Sequence, residues 1–222
     1  MTTTAIKLQL KINIYQDSDT ESPLAGADDF KFTTFGMGSR YDGPMPDESE
    51  VKDSKTHPSW WVSCYRHGGS HWFLMGGDGP NCQWDTRQRA GLLQFTGKRK
   101  DYGDLNEVAK SIISEFNDWA NGSCYWYQLA QEQETRGACP TCHTGTDVPQ
   151  RNFIALWDYG CGGIIGDEWL VKSVLDDIIG LQTKTGVTPD RYTIALGGDS
   201  YLSCLQDNIK QKVQALGYDV VG

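Results

Sequence analysis

The chain lacks any apolar run near the roughly 18 residues that a membrane helix needs, and no basic N-terminal segment leads into an apolar stretch. We therefore expect neither a membrane span nor a secretion signal. Basic residues are also few: 20 Lys and Arg stand against 29 Asp and Glu, which gives a net charge of -9 at pH 7. Because a nucleic-acid backbone requires a basic face, direct nucleic-acid binding is not expected. An acidic chain suits a basic surface on another protein.

Internal repeats and low-complexity tracts are absent, and the seven Cys are an odd number. Without a secretion signal, reduced thiols in the cytoplasm are expected, where a Cys cluster indicates a metal or catalytic site rather than disulfides. The length of 222 residues, 38% hydrophobic content and eight Trp are typical of a globular chain. We expect one domain over residues 1–222.

Strand patterns dominate the first half of the chain. Period-two alternation at Ile6–Ile14 predicts a half-buried strand. Residues 17–56, rich in Gly, Pro, Asp and Ser, predict a long acidic surface loop region that contains a short strand at Phe30–Phe35. A glycine turn between Trp60–Tyr65 and His71–Met75 predicts a hairpin. Further strands are predicted at Ala90–Phe95, Ser123–Ala130, Asn152–Trp157 and Arg191–Leu196.

Helix patterns come later. Asp104 is a predicted N-cap before an apolar stripe that ends at Trp119. A second helix is predicted from about Asp167 to Leu181, and a third is predicted to be capped by Asp199. Together these patterns predict an α+β fold with a mainly antiparallel sheet and about three packed helices.

A Cys-x-x-Cys segment, Cys139 to Cys142, is followed by His143 and predicts a knuckle at a hairpin tip. A two-residue gap lets one turn supply two of the four ligands of a structural Zn²⁺. Cys161, in a glycine-rich turn, and Cys82, in another turn, are the predicted second pair, with His143 as a substitute ligand. The alternative is a pair of reduced surface cysteines.

Four segments occur in one order: His67-Gly68-Gly69, Cys82–Gly91, Cys139–His143 and Cys161–Asp167. The arrangement resembles a family of small bacteriophage and plasmid proteins with His-Ser-Gly, Cys-Pro-Trp-Asp-Ser-Gly-Gln-x-Gly and Ser-Cys-Trp-Gly-x-x-Gly-Asp motifs. The resemblance covers residues 60–169. Gly68, Thr86, Ala90 and Gly162 depart from the family pattern.

The resemblance implies a mobile-element protein with an accessory role in the cytoplasm of a host cell. By analogy with phage proteins that disarm host defences, we expect it to bind a host macromolecule. The expected role is that of an inhibitor of a nucleic-acid defence system, of the anti-CRISPR or anti-restriction class. The partner would be a host nuclease or defence complex. A binding role is favoured over an enzymatic one.

Two alternatives stay open. In the first, Cys161 is a nucleophile, His67 its base and Asp85 the orienting group of a hydrolase or transferase. The structural alternative makes His67 a plain turn residue and Cys161 a ligand or packed side chain. In the second, the protein binds a small molecule or nucleotide, since Gly197-Gly198-Asp199-Ser200 opens a helix after a strand. Exposed members of the Trp and Tyr set would be natural contact points for a partner.

Overall fold

A computed structural model gives the fold. It describes residues 7–25, 27–35, 42–43, 46, 51, 54–80, 82–137 and 148–221. The chain divides into two compact units: unit 1 is drawn from residues 1–20 and 124–222, and unit 2 is residues 21–123. Unit 2 is thus inserted into the sequence of unit 1. One domain over residues 1–222 stays a prediction of the sequence.

The described residues form ten strands and three α-helices. The first six strands are β1 (Leu8–Gln16), β2 (Phe30–Phe35), β3 (Asp42–Gly43), β4 (Ser59–Arg66), β5 (Ser70–Leu74) and β6 (Thr86–Phe95). They are followed by α1 (Leu105–Ala120), β7 (Cys124–Gly137), β8 (Val148–Ile165), α2 (Asp167–Thr185), β9 (Tyr192–Gly198), α3 (Ser203–Ala215) and β10 (Val220–Val221). Two short 3-10 helices span Arg99–Asp101 and Ser200–Leu202.

Unit 1 is a five-stranded mixed sheet in the order β10-β9-β1-β7-β8. The central strand β1 runs parallel to β9 and antiparallel to β7, while β8 is antiparallel to β7 and β10 is parallel to β9. The alternation in β1 puts Leu10, Ile12 and Ile14 on one face, where all three are fully buried. Both α2 and α3 pack on that face.

The sequence explains where α2 begins and ends. It follows Gly166, whose φ of 91° favours glycine, and its first turn carries Asp167 and Glu168. These carboxylates stabilise the positive end of the helix dipole. The helix ends at Gly186, which has the left-handed conformation common after helices.

Unit 2 is a second five-stranded sheet, in the order β3-β2-β6-β4-β5. The Asp104 carboxylate caps α1 by accepting the N–H of Asn106 at 2.8 Å, as the sequence predicts. One face of the sheet packs against α1 in an aromatic core. The buried residues of this core are Phe30, Val62, Cys64, Trp72, Ala90, Leu93, Phe95, Leu105, Ala109, Ile113 and Phe116.

The predicted α+β class with mainly antiparallel sheets is confirmed, but two local predictions are wrong. The glycine-rich segment Asp158–Gly163 is not a turn, because it continues β8 with shifts in its register against β7. Asp199 does not cap α3 with its side chain, because a 3-10 turn separates it from the helix. No helix in the described part of the chain is long and apolar enough to cross a membrane.

Candidate functional site

A hydrogen-bonded turn joins β5 to β6 in unit 2 and presents Trp84. The N–H of Cys82 donates to Thr86 Oγ1 at 3.0 Å, and the N–H of Thr86 donates back to the Cys82 carbonyl at 2.9 Å. The Thr86 hydroxyl donates to the Pro80 carbonyl at 2.9 Å. Trp84, at the head of this turn, is 87% exposed. The turn is therefore held by its own hydrogen bonds, while its largest side chain faces solvent.

Three of the predicted site residues meet at this turn. The Cys82 thiol donates to Asp85 Oδ2 at 3.5 Å, and His67 Nδ1 lies 3.5 Å from the same oxygen. The Asp85 carbonyl also accepts the N–H of Arg66 at 2.9 Å, which ties the turn to the end of β4. The carboxylate thus lies between the thiol and the imidazole.

This order of groups does not match a nucleophilic cysteine site. Such a site needs the imidazole beside the sulfur so that the thiolate is held and the proton is removed. Here the imidazole contacts the carboxylate at 3.5 Å, and the His67 side chain is 74% exposed. The arrangement braces the turn that carries Trp84.

Cys161 lies in unit 1, on β8, opposite Tyr127 of β7. Its side chain is exposed, and its Sγ lies 3.3 Å from the Gly162 carbonyl oxygen. The structure therefore places the predicted nucleophile Cys161 and the predicted base His67 in different units. It likewise places the two predicted ligands Cys82 and Cys161 in different units.

Two carboxylates hold the glycine-rich part of β8. Asp177 of α2 accepts the Tyr127 hydroxyl at 2.7 Å and the Gly160 N–H at 3.0 Å. Burial and the bond to Asp177 raise the pKa of Tyr127 above its ordinary value. Asp17 accepts the Gly163 N–H at 3.0 Å. Burial opposes ionisation of Asp17, but hydrogen bonds from Gly163 and the 19–20 segment outweigh it and lower the pKa of this carboxyl.

The Cys-x-x-Cys segment connects two paired strand ends. The last pair of the β7–β8 hairpin is Gly137 with Val148, which confirms that residues 138–147 join the arms of a hairpin. Cys139, Cys142 and His143 themselves lie outside the described residues. Cys161 pairs with Tyr127, which lies ten residues before Gly137 on β7, a distance of about 33 Å along the strand. The structure thus does not bring Cys161 to the base of that connection.

Metal ligands are not clustered elsewhere in the described ranges. No three His, Cys, Asp or Glu side chains among these residues are arranged to hold a metal ion. Zinc at Cys139 and Cys142 stays a prediction, because neither residue is among those that the structure describes.

The carboxyl ends of β1 and β9 are where the sheet of unit 1 would be expected to bind a ligand. β1 and β9 are neighbouring parallel strands, and the next strands of the sheet along the chain, β7 and β10, lie on opposite sides of this pair. Ligand sites are common at such positions in open sheets. The two carboxylates there serve the fold instead. Asp199 Oδ2 accepts the Gln16 N–H at 2.9 Å and the Tyr201 hydroxyl at 3.0 Å, while Asp17 reaches past β7 to β8.

Comparisons with known proteins do not assign this chain to a family. No protein family, no curated protein and no solved structure matches this chain. The functional argument consequently rests on the geometry of the chain's own residues and on the sequence motifs described above.

The sequence pattern only partly identifies the exposed aromatic residues. Trp84 belongs to the Trp and Tyr set whose exposed members were predicted to contact a partner, but its exposure depends on the turn around it. Trp169 of α2 is 60% exposed and does not belong to that set. In the sequence, the exposure of Trp84 is indicated by its place in a segment without strand alternation, Asn81–Asp85.

Proposed function

We propose that this protein is an accessory protein that acts by binding a host macromolecule, with Trp84 at the centre of the binding surface. The proposed partner is a protein of a nucleic-acid defence system, in the anti-CRISPR or anti-restriction class. The observation that carries the proposal is the 87% exposure of Trp84 on a braced turn. The resemblance to phage and plasmid proteins supports the host setting.

An exposed Trp on a fixed turn has the properties of a binding hot spot. A Trp ring offers a large apolar area that is in contact with water until a partner covers it, and Trp is enriched among residues that dominate interface energies. The hydrogen bonds of Thr86 to Cys82 and Pro80 hold the backbone on both sides of the ring. Little conformational freedom would then be lost on binding, which favours affinity.

Charge supports a protein partner with a basic surface. The net charge of -9 repels a phosphate backbone but attracts the basic face that nucleases use to hold nucleic acid. An acidic protein that occupies such a face competes with the nuclease substrate. This is the physical basis for proposing inhibition as the outcome of binding.

The test is capture of partners from a host lysate, followed by a binding assay with the purified partner. Trp84→Ala should weaken binding at least tenfold, since hot-spot aromatic residues contribute ~2 kcal/mol or more. Met75→Ala is the matched control, because Met75 is also an exposed apolar side chain of unit 2. Equal binding by Trp84→Ala and the unchanged protein would reject Trp84 as the centre. Turnover of a small molecule without any captured protein would reject the binding function.

A further inference from the structure

The only Asn-Gly pair in the sequence, Asn121-Gly122, lies at the C-terminal end of α1. Spontaneous deamidation of Asn meets least hindrance before Gly, because Gly has no side chain and a freely turning backbone. The Gly122 backbone nitrogen attacks the side-chain carbonyl carbon of Asn121, a new C–N bond forms, and the amide nitrogen leaves as ammonia with the Gly122 proton. Water then opens the cyclic imide at either carbonyl, which gives aspartate or isoaspartate.

The fold holds the side chain of Asn121 against β5. Its Oδ1 accepts the Ser70 N–H at 3.0 Å, while its Nδ2 donates to the Ser70 carbonyl at 2.7 Å and to the Asn117 carbonyl at 2.8 Å. The nitrogen that would leave as ammonia is therefore bound at two carbonyls. The carbon that would be attacked cannot turn towards Gly122 until these bonds break.

The attacking nitrogen is held as well. The Gly122 N–H donates to the Trp119 carbonyl at 3.1 Å, and the Ser123 N–H donates to the Asp118 carbonyl at 2.8 Å, a pair of bonds that ends many helices at a glycine. The ψ of Asn121 is 5°, which places the Gly122 nitrogen away from Cβ. Ring closure needs that nitrogen on the side of Cβ, so a large rotation about the Asn121 Cα–C bond must come first.

We propose that Asn121 is a site of spontaneous deamidation that reacts only when the C-terminal turn of α1 separates from β5. In the described arrangement neither reacting group is positioned for attack, and one local opening frees both of them. The rate of deamidation therefore reports how often this part of unit 2 opens. The proposal requires neither a partner nor the Trp84 surface.

The product cannot restore the contact. An ionised aspartate accepts hydrogen bonds but donates none, so the carbonyls of Ser70 and Asn117 would face a carboxylate in place of an N–H donor. The new negative charge also lies at the negative end of the helix dipole, where residues 117–120 include no basic side chain. Isoaspartate adds a carbon atom to the main chain and shifts Gly122 as well. Each conversion thus permanently weakens the coverage of β5 at Ser70.

The first experiment compares the full chain with a capped peptide of residues 118–123, which has the reactive pair without β5. Both are incubated at pH 8, and the products at Asn121 are followed by mass spectrometry after digestion. The folded chain should react at least about tenfold more slowly than the peptide, and at the peptide's rate in urea above its unfolding midpoint. Asn117 is an internal control: it also bonds β5, but the side chain of Asp118 hinders the attack, so Asn117 should stay unmodified.

Two variants distinguish local opening from unfolding of the whole chain. Asn117→Ala removes the neighbouring bonds to Trp72 but keeps the Asn121-Gly122 pair, and it should speed deamidation at least about fivefold. Tyr127→Phe is the matched control, because it loses a hydrogen bond in unit 1 and should leave the rate unchanged.

Asn121→Asp reproduces one product and gives a measurement that does not depend on the folding of Asn117→Ala. Hydrogen exchange at the backbone amides of residues 70–72 should be at least about threefold faster in this variant than in the unchanged chain.

Each of four results would overturn the proposal. In the first, the folded chain deamidates as fast as the peptide, so the fold does not restrain Asn121. In the second, folded Asn117→Ala reacts no faster than the unchanged chain. In the third, Tyr127→Phe accelerates the reaction as much as Asn117→Ala, so the reaction passes through unfolding of the whole chain. In the fourth, exchange in Asn121→Asp is no faster, so the product keeps the contact with β5.

Discussion

The side-chain amide of Asn117 pairs with both backbone groups of Trp72, as a neighbouring strand would. The Trp72 N–H donates to Asn117 Oδ1 at 2.7 Å, and Asn117 Nδ2 donates to the Trp72 carbonyl at 2.8 Å. Asn121 repeats the arrangement with Ser70, at 3.0 and 2.7 Å. The two Asn residues are four positions apart on the helix, a rise of about 6 Å, and their partners are two positions apart on the strand, a rise of about 6.6 Å. Because these lengths nearly match, successive turns of α1 can cover alternate residues of β5. The open edge of the sheet in unit 2 is thereby closed to strand pairing at these residues.

Asn117→Ala should lower the free energy of unfolding by about 2–3 kcal/mol. The substitution removes two hydrogen bonds and leaves the N–H and C=O of the buried Trp72 without partners. Asn121→Ala should cost only about 1 kcal/mol, because Ser70 is half-buried and water can replace the amide. Urea denaturation followed by Trp fluorescence measures both. Equal losses of unfolding free energy in the two variants would contradict the larger contribution expected for the bonds between Asn117 and Trp72.

Gly198→Ala should unfold unit 1 or destabilise it by more than about 3 kcal/mol. Gly198 has a φ of 107°, and an added Cβ would lie 1.8 Å from the Ile14 carbonyl oxygen. The pairing of β9 with β1 could then not form as described. Gly163→Ala is the control, since Gly163 also has a positive φ, 69°, but open space around the added atom. The control should cost about 1–2 kcal/mol from backbone strain alone, and thermal melting compares the two.

Tyr127→Phe should cost about 1–2 kcal/mol at neutral pH, because it removes the hydroxyl that Asp177 accepts. The pH dependence gives a second readout. Burial and Asp177 raise the pKa of Tyr127 in the folded chain above the ordinary value of 10.0. The stabilisation is therefore complete below pH 10 and declines as the pH rises above it, because only the unfolded chain releases the proton. Stability measured from pH 8 to pH 11 should fall less steeply in Tyr127→Phe than in the unchanged protein.

Zinc at the Cys139–Cys142 connection is tested by metal analysis and thiol labelling. We expect one zinc per chain, lost in Cys142→Ser with a lower melting temperature. Cys139 and Cys142 should become reactive after chelation, whereas the exposed Cys161 and Cys204 should label before and after it. Cys64 should stay unlabelled at pH 8, since burial raises the pKa of its thiol to about 11. Absence of zinc together with unchanged melting of Cys142→Ser would reject the metal.

Local sequence signals predicted those elements whose cause is local. The alternation before Tyr15 defines β1, and Asp104 marks the start of α1 because a cap acts within one turn. The glycines around Cys161 predict a turn, because a glycine-rich run usually marks one. Here the backbone N–H groups of Gly160 and Gly163 are bound by Asp177 and Asp17, which lie far away in the sequence. The continuation of β8 is thus fixed by tertiary contacts.

The surroundings of Trp84 also depend on distant pairing. His67 and Asp85 approach one another because β4 pairs with β6, where Tyr65 lies opposite Thr86. Their spacing in the sequence contains no sign of this contact.

The insertion of unit 2 sets an order of events during synthesis. The Asp17 N–H donates to the Cys124 carbonyl at 2.8 Å, so the chain segments that flank the insertion meet at the C-terminal end of β1. The central strand of unit 1 leaves the ribosome before all of unit 2, and its partners β7 and β9 follow at Cys124 and Tyr192. At ~5–20 residues per second, β1 waits roughly 5–20 s for its first partner. Unit 2 is continuous in sequence, and its last residue, Ser123, is added directly before Cys124. The apolar row of β1, Leu10, Ile12 and Ile14, therefore has no partner strand of its own sheet during the whole synthesis of unit 2.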